Sequence, residues 1–365
     1  MSIQKRSGLL VLLCVLSVAL ASIVVGRHRN STPSRKTVPP AAIASTPVPP
    51  TGPEETHIYM RHVIFRVLPN VALDIDTLDG LMAQVHAGQV ISLDDPNSFT
   101  LEMQSARTSI SSRDLSALVN SYILPRSGAP IRDLDMKLNP DQTVSVSGKF
   151  HKVIDLDFES TATLQATPQG NMRMHLFDMR VGHILHQSIL DFLGVKVAKF
   201  AQPKNAQVFR MEGNDMIFPI SEMFPPPRVE GKLQSLSIVN GRLHFIFGGT
   251  PAASFAPPEP APNYIFFHGG PMRFGRLTMT PVDMELVNLK PADAFEFSLA
   301  QYFQQIVAGY SKSLPNGGLL VHMANYSENS SDSGANKSWL GSKALASGKA
   351  RYLREELHRL AAKKR

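Results

Sequence analysis

The residues best suited to metal chemistry in this chain are histidines that occur in three pairs. The pairs are His57 and His62, His183 and His186, and His244 and His268. Zinc sites usually combine such histidines with cysteine thiolates, or place them in an HExxH helix. Neither feature is present, and the single cysteine, Cys14, lies inside an apolar run. The sequence therefore predicts no metal site and no disulfide.

Two pairs of carboxylates and one glycine-rich stretch are the remaining sites where catalysis is conceivable. Asp94 and Asp95 precede a proline in a predicted turn, whereas Asp155 and Asp157 lie on the polar face of a predicted strand. Both settings favour solvated charges over an acid–base pair. The stretch Phe267–Pro271 contains two consecutive glycines, but no G-x-S-x-G motif accompanies it, so a tight turn is the better interpretation. We predict that the protein is not an enzyme and binds no cofactor.

The net charge of +7 is concentrated in the last residues of the chain. Residues 337–365 hold nine Lys or Arg and two Glu, and the rest of the chain holds 28 basic and 28 acidic residues. A neutral body offers no extended positive surface to a phosphate backbone, so the sequence predicts no nucleic-acid partner. Residues 327–365 are predicted to be a disordered basic tail that ends in a short helix. Such a tail is usually solvated, and attraction to anionic lipid head groups is the alternative. The membrane-surface candidates are Lys349, Arg351, Arg354, Arg359, Lys363 and Lys364.

The N-terminal residues 1–30 are predicted to be a membrane anchor or a signal peptide. Residues 8–26 form an apolar stretch that follows Lys5 and Arg6, and nineteen helical residues span about 28 Å, close to the thickness of a bilayer core. Cleavage after a small-x-small pattern and a buried helix are the alternatives. More basic residues follow the stretch than precede it, which favours a cytoplasmic body. We nevertheless favour export, with the bulk of the chain periplasmic or at the cell surface.

Residues 31–57 are predicted to be a linker, because seven prolines are spaced by Ala, Ser and Thr. Such a segment forms neither a helix nor a sheet ladder, and as polyproline II it would reach about 80 Å. The alternative is a proline-rich ligand for a partner domain.

The folded body is dominated by alternating strands. The alternation is unbroken in Ile154–Glu159 and recurs from Leu134 to Gly248, which predicts an antiparallel sheet with one apolar face. Before it, the stretch Arg61–Ile75 is predicted to be one strand kinked at Pro69. Asn240-Gly241 between apolar runs predicts a hairpin with a type I′ turn.

Three segments of the body have helical spacing. The first has Ser111 as its N-cap and an apolar face from Leu115 to Ile123, and it is predicted to stop at Pro125. The second is His186–Phe200. The third is a stripe from Leu299 to Tyr310, predicted to pack on the strands that follow residue 262, with an exposed docking helix as the alternative.

Over residues 60–248 the order of these elements resembles the LmeA-like family of secreted lipid-binding proteins, within the tubular lipid-binding (TULIP) superfamily. The resemblance is carried by the helix 112–123, the strands Leu134–Leu176, the helix near 185–193, the stretch Met216–Pro227 and the hairpin Leu236–Phe247. It implies an α+β fold in which a curved antiparallel β-sheet wraps around amphipathic helices and leaves an apolar groove for acyl chains. No catalytic residues are transferred. The chain departs from the family by an additional C-terminal β/α segment.

The resemblance divides the body into a lipid-binding domain at 58–250 and additional strands with a helix at 251–326. Together with the apolar stretch 8–26, the resemblance implies a membrane-tethered, extracytoplasmic protein that holds or shuttles lipids, and the oligomeric state is not indicated. A non-enzymatic structural or assembly adaptor of the cell envelope is the alternative. The fifteen methionines suit an adaptable apolar groove, and they equally suit an ordinary core. The lipid-groove candidates are Leu156, Phe158, Ala162, Leu164, Ala166, Met172, Met174 and Phe192.

Overall fold

Alternating apolar and polar residues fold into three β-sheets in the computed structural model of the chain. The structure describes residues 55–151, 155–181, 184–186, 207–249, 257 and 261–327, all of which belong to one unit, Gly52–Arg365. Strands make up 58% of these residues and helices 13%. The prediction of an α+β fold rich in antiparallel strands is therefore confirmed.

The strands are numbered in chain order. The first eleven are β1 (Thr56–Leu68), β2 (Val71–Gln84), β3 (Ile91–Ser92), β4 (Phe99–Ser111), β5 (Ile131–Leu138), β6 (Thr143–His151), β7 (Asp155–Ala166), β8 (Met172–Val181), β9 (Ile184–His186), β10 (Arg210–Glu212) and β11 (Asp215–Phe218). The others are β12 (Arg228–Glu230), β13 (Leu233–Val239), β14 (Arg242–Gly248), β15 (Tyr264–Gly269), β16 (Met272–Phe274), β17 (Leu277–Met279), β18 (Val282–Asn288), β19 (Phe295–Ser298), β20 (Tyr310–Ser313) and β21 (Leu319–Met323).

The large sheet has eleven strands in the order β13-β14-β4-β2-β1-β15-β18-β21-β20, with β12 beside β4 and β19 beside β1. Most of its pairs are antiparallel, and four-residue β19 runs parallel to β1. A seven-stranded sheet has the order β10-β11-β8-β7-β6-β5, with β9 beside β8, and β17-β16-β3 form a small third sheet. Strands from residue 264 onward extend the large sheet, because β15 pairs with the first six residues of β1.

Four short α-helices lie wholly within the described residues. They are α1 (Ser112–Leu118), α2 (Leu124–Ser127), α3 (Ile220–Met223) and α4 (Tyr302–Val307). The predicted N-cap is confirmed, because the Ser111 Oγ accepts a hydrogen bond from the Asp114 N–H at 3.1 Å. The prediction that Pro125 stops this helix is wrong. A π-helical turn, Val119–Ile123, continues α1 into α2, and Pro125 is the second residue of α2, directly after this irregular turn. The helix ends at Gly128.

The helical segment from Ser112 to Asn120, which comprises α1 and the start of the π-helical turn, runs along the edge strand β5 and takes the place of a neighbouring strand. Three polar side chains spaced four residues apart bond to alternate residues of β5. The bonds join the Leu138 N–H to the Ser112 Oγ at 3.0 Å, the Met136 N–H to the Ser116 Oγ at 2.8 Å and the Leu134 N–H to the Asn120 Oδ1 at 2.9 Å. The periods of helix and strand match here, since four helical residues rise about 6 Å and two strand residues about 6.7 Å.

Three other sequence predictions can be compared with the structure. The hairpin at Asn240-Gly241 is confirmed, and both residues have the positive φ, 51° and 69°, that a type I′ turn requires. The prediction of a single strand over Arg61–Ile75 is wrong, because the chain reverses between β1 and β2 and the two strands pair. The prediction of one helix from Leu299 to Tyr310 is also wrong. A 3₁₀ turn precedes α4, which ends before Gly309, and Tyr310 already begins β20.

The remaining predicted segments lie outside the described residues. These are residues 8–26, residues 31–54 of the linker predicted at 31–57, most of the helix 186–200 and the tail from residue 328. Thr56 and His57, at the end of the predicted linker, belong to β1. Among the residues that are described, no helix is long and apolar enough to cross a membrane.

Candidate functional site

An apolar cavity of about 70 Å³ lies between the helical segment α1–α2 and the inner face of the seven-stranded sheet. Its floor is formed by strands β5 to β8 and by β11, and its roof by Leu115, Val119 and Ile123. Phe209, Met223 of α3 and Leu243 of β14 complete the wall. The 23 described residues that line the cavity are all apolar. A ligand in this space would make van der Waals contacts and no hydrogen bonds to these side chains.

Methionines form an unusually large share of the wall. Seven of the chain's fifteen methionines line the cavity. They are Met136, Met172, Met174, Met179, Met211, Met216 and Met223. Methionine is unbranched and polarisable, so a wall rich in it can change shape at lower cost than a wall of β-branched residues. The cavity can therefore be reshaped by rotation of side chains.

Four of the eight predicted groove residues line this cavity. They are Phe158, Leu164, Met172 and Met174. Ala162 is fully buried, but it contacts its cross-strand neighbours and does not reach the wall. Leu156 has the same orientation as Phe158, yet it stands near the start of β7 and is 38% exposed. Ala166 is half-buried near the other end of β7, and Phe192 lies outside the described residues.

Sequence reasoning missed the wall residues that come from outside the strand series. The stripe Leu115, Val119 and Ile123 was recognised as one face of a helix, and this periodicity would have identified the roof. Phe209 and Leu243 carried no comparable signal, because their place in the wall depends on which elements meet in three dimensions.

An ion pair joins two parts of the cavity wall. The Arg126 Nη2 of α2 lies 2.6 Å from the Glu222 Oε2 of α3, and the Arg126 Nη1 donates to the Glu222 carbonyl at 2.9 Å. The guanidinium also stacks over the Tyr122 ring at 4.5 Å. Burial raises the pKa of Tyr122, so this phenol stays neutral in the physiological range. The contacts hold α2 against α3 beside Met223.

The polar residues weighed in the sequence are not brought together as a reactive centre in the part of the chain that the structure describes, and His183 lies outside that part. Within the described ranges, no group of three His, Cys, Asp or Glu side chains is placed to hold a metal ion. His62 pairs with Asp76 at 3.2 Å, and His57 stacks on Tyr59. Asp94 is exposed, as expected for a solvated charge, and it also accepts a hydrogen bond from the Tyr302 hydroxyl. Burial first, and then this bond, raise the pKa of Tyr302.

No family model, no curated protein and no solved structure matches this chain. Its function must therefore be argued from the geometry of its own residues.

A second notable feature lies on the large sheet. One face of this sheet points away from the main core, and we call it the outer face. A row of side chains runs across it. The row crosses β4, β2, β1, β15 and β18. It consists of Ser105, Asp79, Tyr59, Phe266 and Glu285, each beside the next in the ladder. Asp79 is 6% exposed, and neither carboxylate oxygen has a hydrogen-bond partner among the described residues. Burial raises the pKa of Asp79, an effect that nearby His57 partly opposes.

We expect Asp79→Asn to stabilise the protein at pH 7 by about 1 kcal/mol, because the neutral amide avoids the added cost of a buried charge, although it meets the same surroundings without a hydrogen-bond partner. Because the folded state raises the pKa of Asp79, its stabilising contribution is present at low pH and is lost as the pH rises through the folded pKa. The gain from asparagine should therefore shrink on acidification. Thermal melts at pH 7 and near the unfolded pKa of about 4 measure this difference. Asp76→Asn, at a side chain 57% exposed on the same strand, is the control and should change little. A lower Tm for Asp79→Asn at pH 7 would contradict the expectation.

Proposed function

We propose that this chain is a lipid-binding protein whose cavity takes the acyl chains of a lipid. The observation that carries the proposal is the wall, in which every described lining residue is apolar and seven are methionines. Acyl chains need such a wall, since they offer no polar group to recognise. The ion pair of Arg126 and Glu222 is close by, but neither residue is among those that line the cavity.

The proposed architecture is a TULIP-like wrap, with the sheet curved around the helical segment and membership of the LmeA-like family. What supports it is the way the helical segment from Ser112 to Asn120 runs along the edge strand β5, to which three side-chain hydrogen bonds join it. The absence of a family match leaves the assignment to rest on this arrangement and on the order of elements. A tether through residues 8–26 and an extracytoplasmic body remain part of the proposal on the sequence evidence given above.

The volume of the cavity decides how a lipid must enter. A dry cavity of about 150 Å³ is sufficient for benzene, whereas this cavity measures about 70 Å³. An acyl chain therefore fits only if the wall moves, and rotation of methionine side chains is the cheapest movement available. The same small volume favours a second candidate function. In that case the core is filled, and the protein is a non-enzymatic adaptor that binds no lipid.

Mass spectrometry of the full chain purified from its native membranes separates the two candidates. Native spectra should show mass added to the folded protein, and solvent extraction should release lipids in a fixed ratio to protein. A fluorescent fatty acid should then bind the delipidated chain and be displaced by oleate. Protein that carries no extractable lipid and does not bind the fluorescent fatty acid would leave the adaptor in place.

A matched pair of substitutions tests whether the cavity is the site. Ala129 lines the cavity and Ala162 does not, so alanine-to-leucine changes add the same three carbon atoms in two settings. We expect Ala129→Leu to occupy the void, leave the Tm almost unchanged and reduce uptake of the fluorescent fatty acid. Ala162→Leu should overpack a filled site and cost about 1–3 kcal/mol. Equal fatty-acid uptake by Ala129→Leu and the unmodified chain would place the lipid elsewhere.

A further inference from the structure

Two segments connect the seven-stranded sheet to the large sheet, and both border the cavity. The helical segment 112–127 leads from β4 of the large sheet to β5. The stretch 219–227, which contains α3, leads back from β11 to β12 beside β4. Leu124 of α2 and Met223 of α3 both line the cavity. The line along which α2 meets α3, which we call the seam, is therefore part of the cavity wall.

The seam is held together differently from the strands of the wall. Strands β5 to β8 and β11 are joined by backbone ladders. Within the described ranges, by contrast, the hydrogen bonds that join α2 to α3 are the two from Arg126 to Glu222, at 2.9 Å to the carbonyl and 2.6 Å to the carboxylate. The seam can therefore part without the loss of any ladder bond.

The two sides of the seam differ in polarity and in exposure. On the outer side, the side chain of Arg126 is 32% exposed and that of Glu222 is 18% exposed. On the cavity side, Leu124 is 7% exposed and Met223 is 1% exposed. Water that already reaches the ion pair can hydrate both charges when they separate, so a partly exposed pair opens at a small net cost. The ion pair and the apolar side chains behind it thus separate solvent from the cavity.

We infer that the seam is the entrance of the cavity and that the ion pair of Arg126 and Glu222 is its latch. This inference rests on the proposed function, because such an entrance serves the uptake of an acyl chain. When the ion pair separates, α3 moves away from α2 and an acyl chain passes between Leu124 and Met223. The unbranched side chain of Met223 turns aside at low cost. The latch closes again behind the acyl chain, since neither charged residue belongs to the cavity lining.

Arg228 offers a matched control, because it shares Glu222 with Arg126 but does not bind α2. Its Nη1 lies 3.6 Å from the Glu222 Oε1, and its Nε donates to the Glu230 Oε1 at 3.0 Å. Arg228 is the first residue of β12 and follows α3 in the chain. The change Arg228→Gln therefore removes a positive charge from beside the same carboxylate and leaves α2 bound to α3.

Stopped-flow fluorescence with anthroyloxy-stearate and the delipidated full chain tests the entrance. If opening limits entry, the association rate of the unmodified chain rises with fatty-acid concentration and then reaches a plateau. We expect Arg126→Gln to raise this plateau and the dissociation rate several-fold. The dissociation constant should stay almost unchanged, because the ion pair is the same in the empty and the filled protein. Arg126→Lys, which keeps the charge but loses the forked contact, should show a smaller rise, and Arg228→Gln should show none.

Several results would overturn the inference. The first is an association rate without a plateau, the second is equal rates for Arg126→Gln and the unmodified chain, and the third is an equal rise in Arg228→Gln. A weaker dissociation constant with an unchanged association rate would also overturn it, since Arg126 would then hold the lipid without controlling its entry. In each of these cases the fatty acid is still taken up, so the proposed lipid binding would stand.

Hydrogen–deuterium exchange of the full chain tests the latch without any lipid. Arg126→Gln should speed the exchange of peptides that contain the Gly128 and Glu222 N–H groups, which donate to the Leu124 and Pro219 carbonyls. Peptides from β6 and β7 should exchange as before, which reports an intact fold. Unchanged exchange in α2 and α3 would overturn the latch whether or not the protein binds a fatty acid. No fatty-acid uptake by the unmodified chain would instead overturn the proposed function, and this entrance with it.

Discussion

Replacing Met174 with aspartate is expected to lower the melting temperature by about 10 °C at pH 7, since a loss of roughly 4 kcal/mol shifts the Tm of a domain of this size by 2–4 °C per kcal/mol. Met174 is 6% exposed and lies in the apolar wall of the cavity. A carboxylate there loses its hydration and finds no polar partner among the described lining residues. Fatty-acid uptake should be lost at the same time.

The control for this change is Met174→Leu, which keeps the apolar volume and should cost less than about 1.5 kcal/mol. Circular dichroism melts at pH 7 and at pH 4 compare the two variants. Part of the loss from aspartate should be recovered at pH 4, because a buried carboxyl is more easily tolerated when protonated. A Tm for Met174→Asp close to that of the unmodified chain would mean that water already fills this cavity.

The second large effect is expected at Gly248, which ends β14. Its φ is +68°, and a Cβ atom at this position would lie 1.6 Å from the Gln104 carbonyl oxygen of β4. The Gln104 oxygen belongs to the backbone and cannot rotate away, so relief of this clash requires the two strands to separate. Gly248→Ala should therefore cost more than about 4 kcal/mol, a range reached by few substitutions. Urea unfolding, followed by fluorescence or circular dichroism, measures the change.

Gly241 at the other end of the same strand provides the matched control. Its φ is +69°, but a Cβ atom there would meet nothing within 4 Å. Gly241→Ala should show only the cost of a left-handed conformation, about 1–2 kcal/mol. Equal losses at the two glycines would mean that the approach of Gly248 to β4 is looser than the structure indicates.

Local chemistry explains which parts of the fold were predictable. The turn at Asn240-Gly241 and the cap at Ser111 depend on residues within a few positions of each other, and both were predicted from the sequence. The pairing of β1 with β15 joins residues about 200 positions apart, and alternation does not say which strands become neighbours. Pro125 was misjudged for a related reason, since the π-helical turn before it changes the position that it occupies.

The candidate site was predictable to a similar depth. Alternation along β7 and β8 correctly separates the inward side chains of Phe158, Met172 and Met174 from their outward neighbours. Alternation does not tell how far along a strand the helical roof extends. Leu156 points to the same side of β7 as Phe158, but it is 38% exposed. Alternation also does not tell whether an inward side chain borders the cavity or packs fully against its neighbours. Leu164 borders the cavity, whereas Ala162 does not.

Because seven methionines line the cavity, its polarity depends on whether they are oxidised. Oxidation converts a thioether to a sulfoxide, which is polar and chiral, and methionine sulfoxide reductases reverse the change. Met211 on β10 is the half-buried member of the seven and the first that an oxidant would reach. Each sulfoxide formed behind it would bring a strong hydrogen-bond acceptor into a space that otherwise has none among its described lining. The methionines that let the cavity change shape therefore also make it vulnerable, because their oxidation would turn an apolar lining into one that binds water.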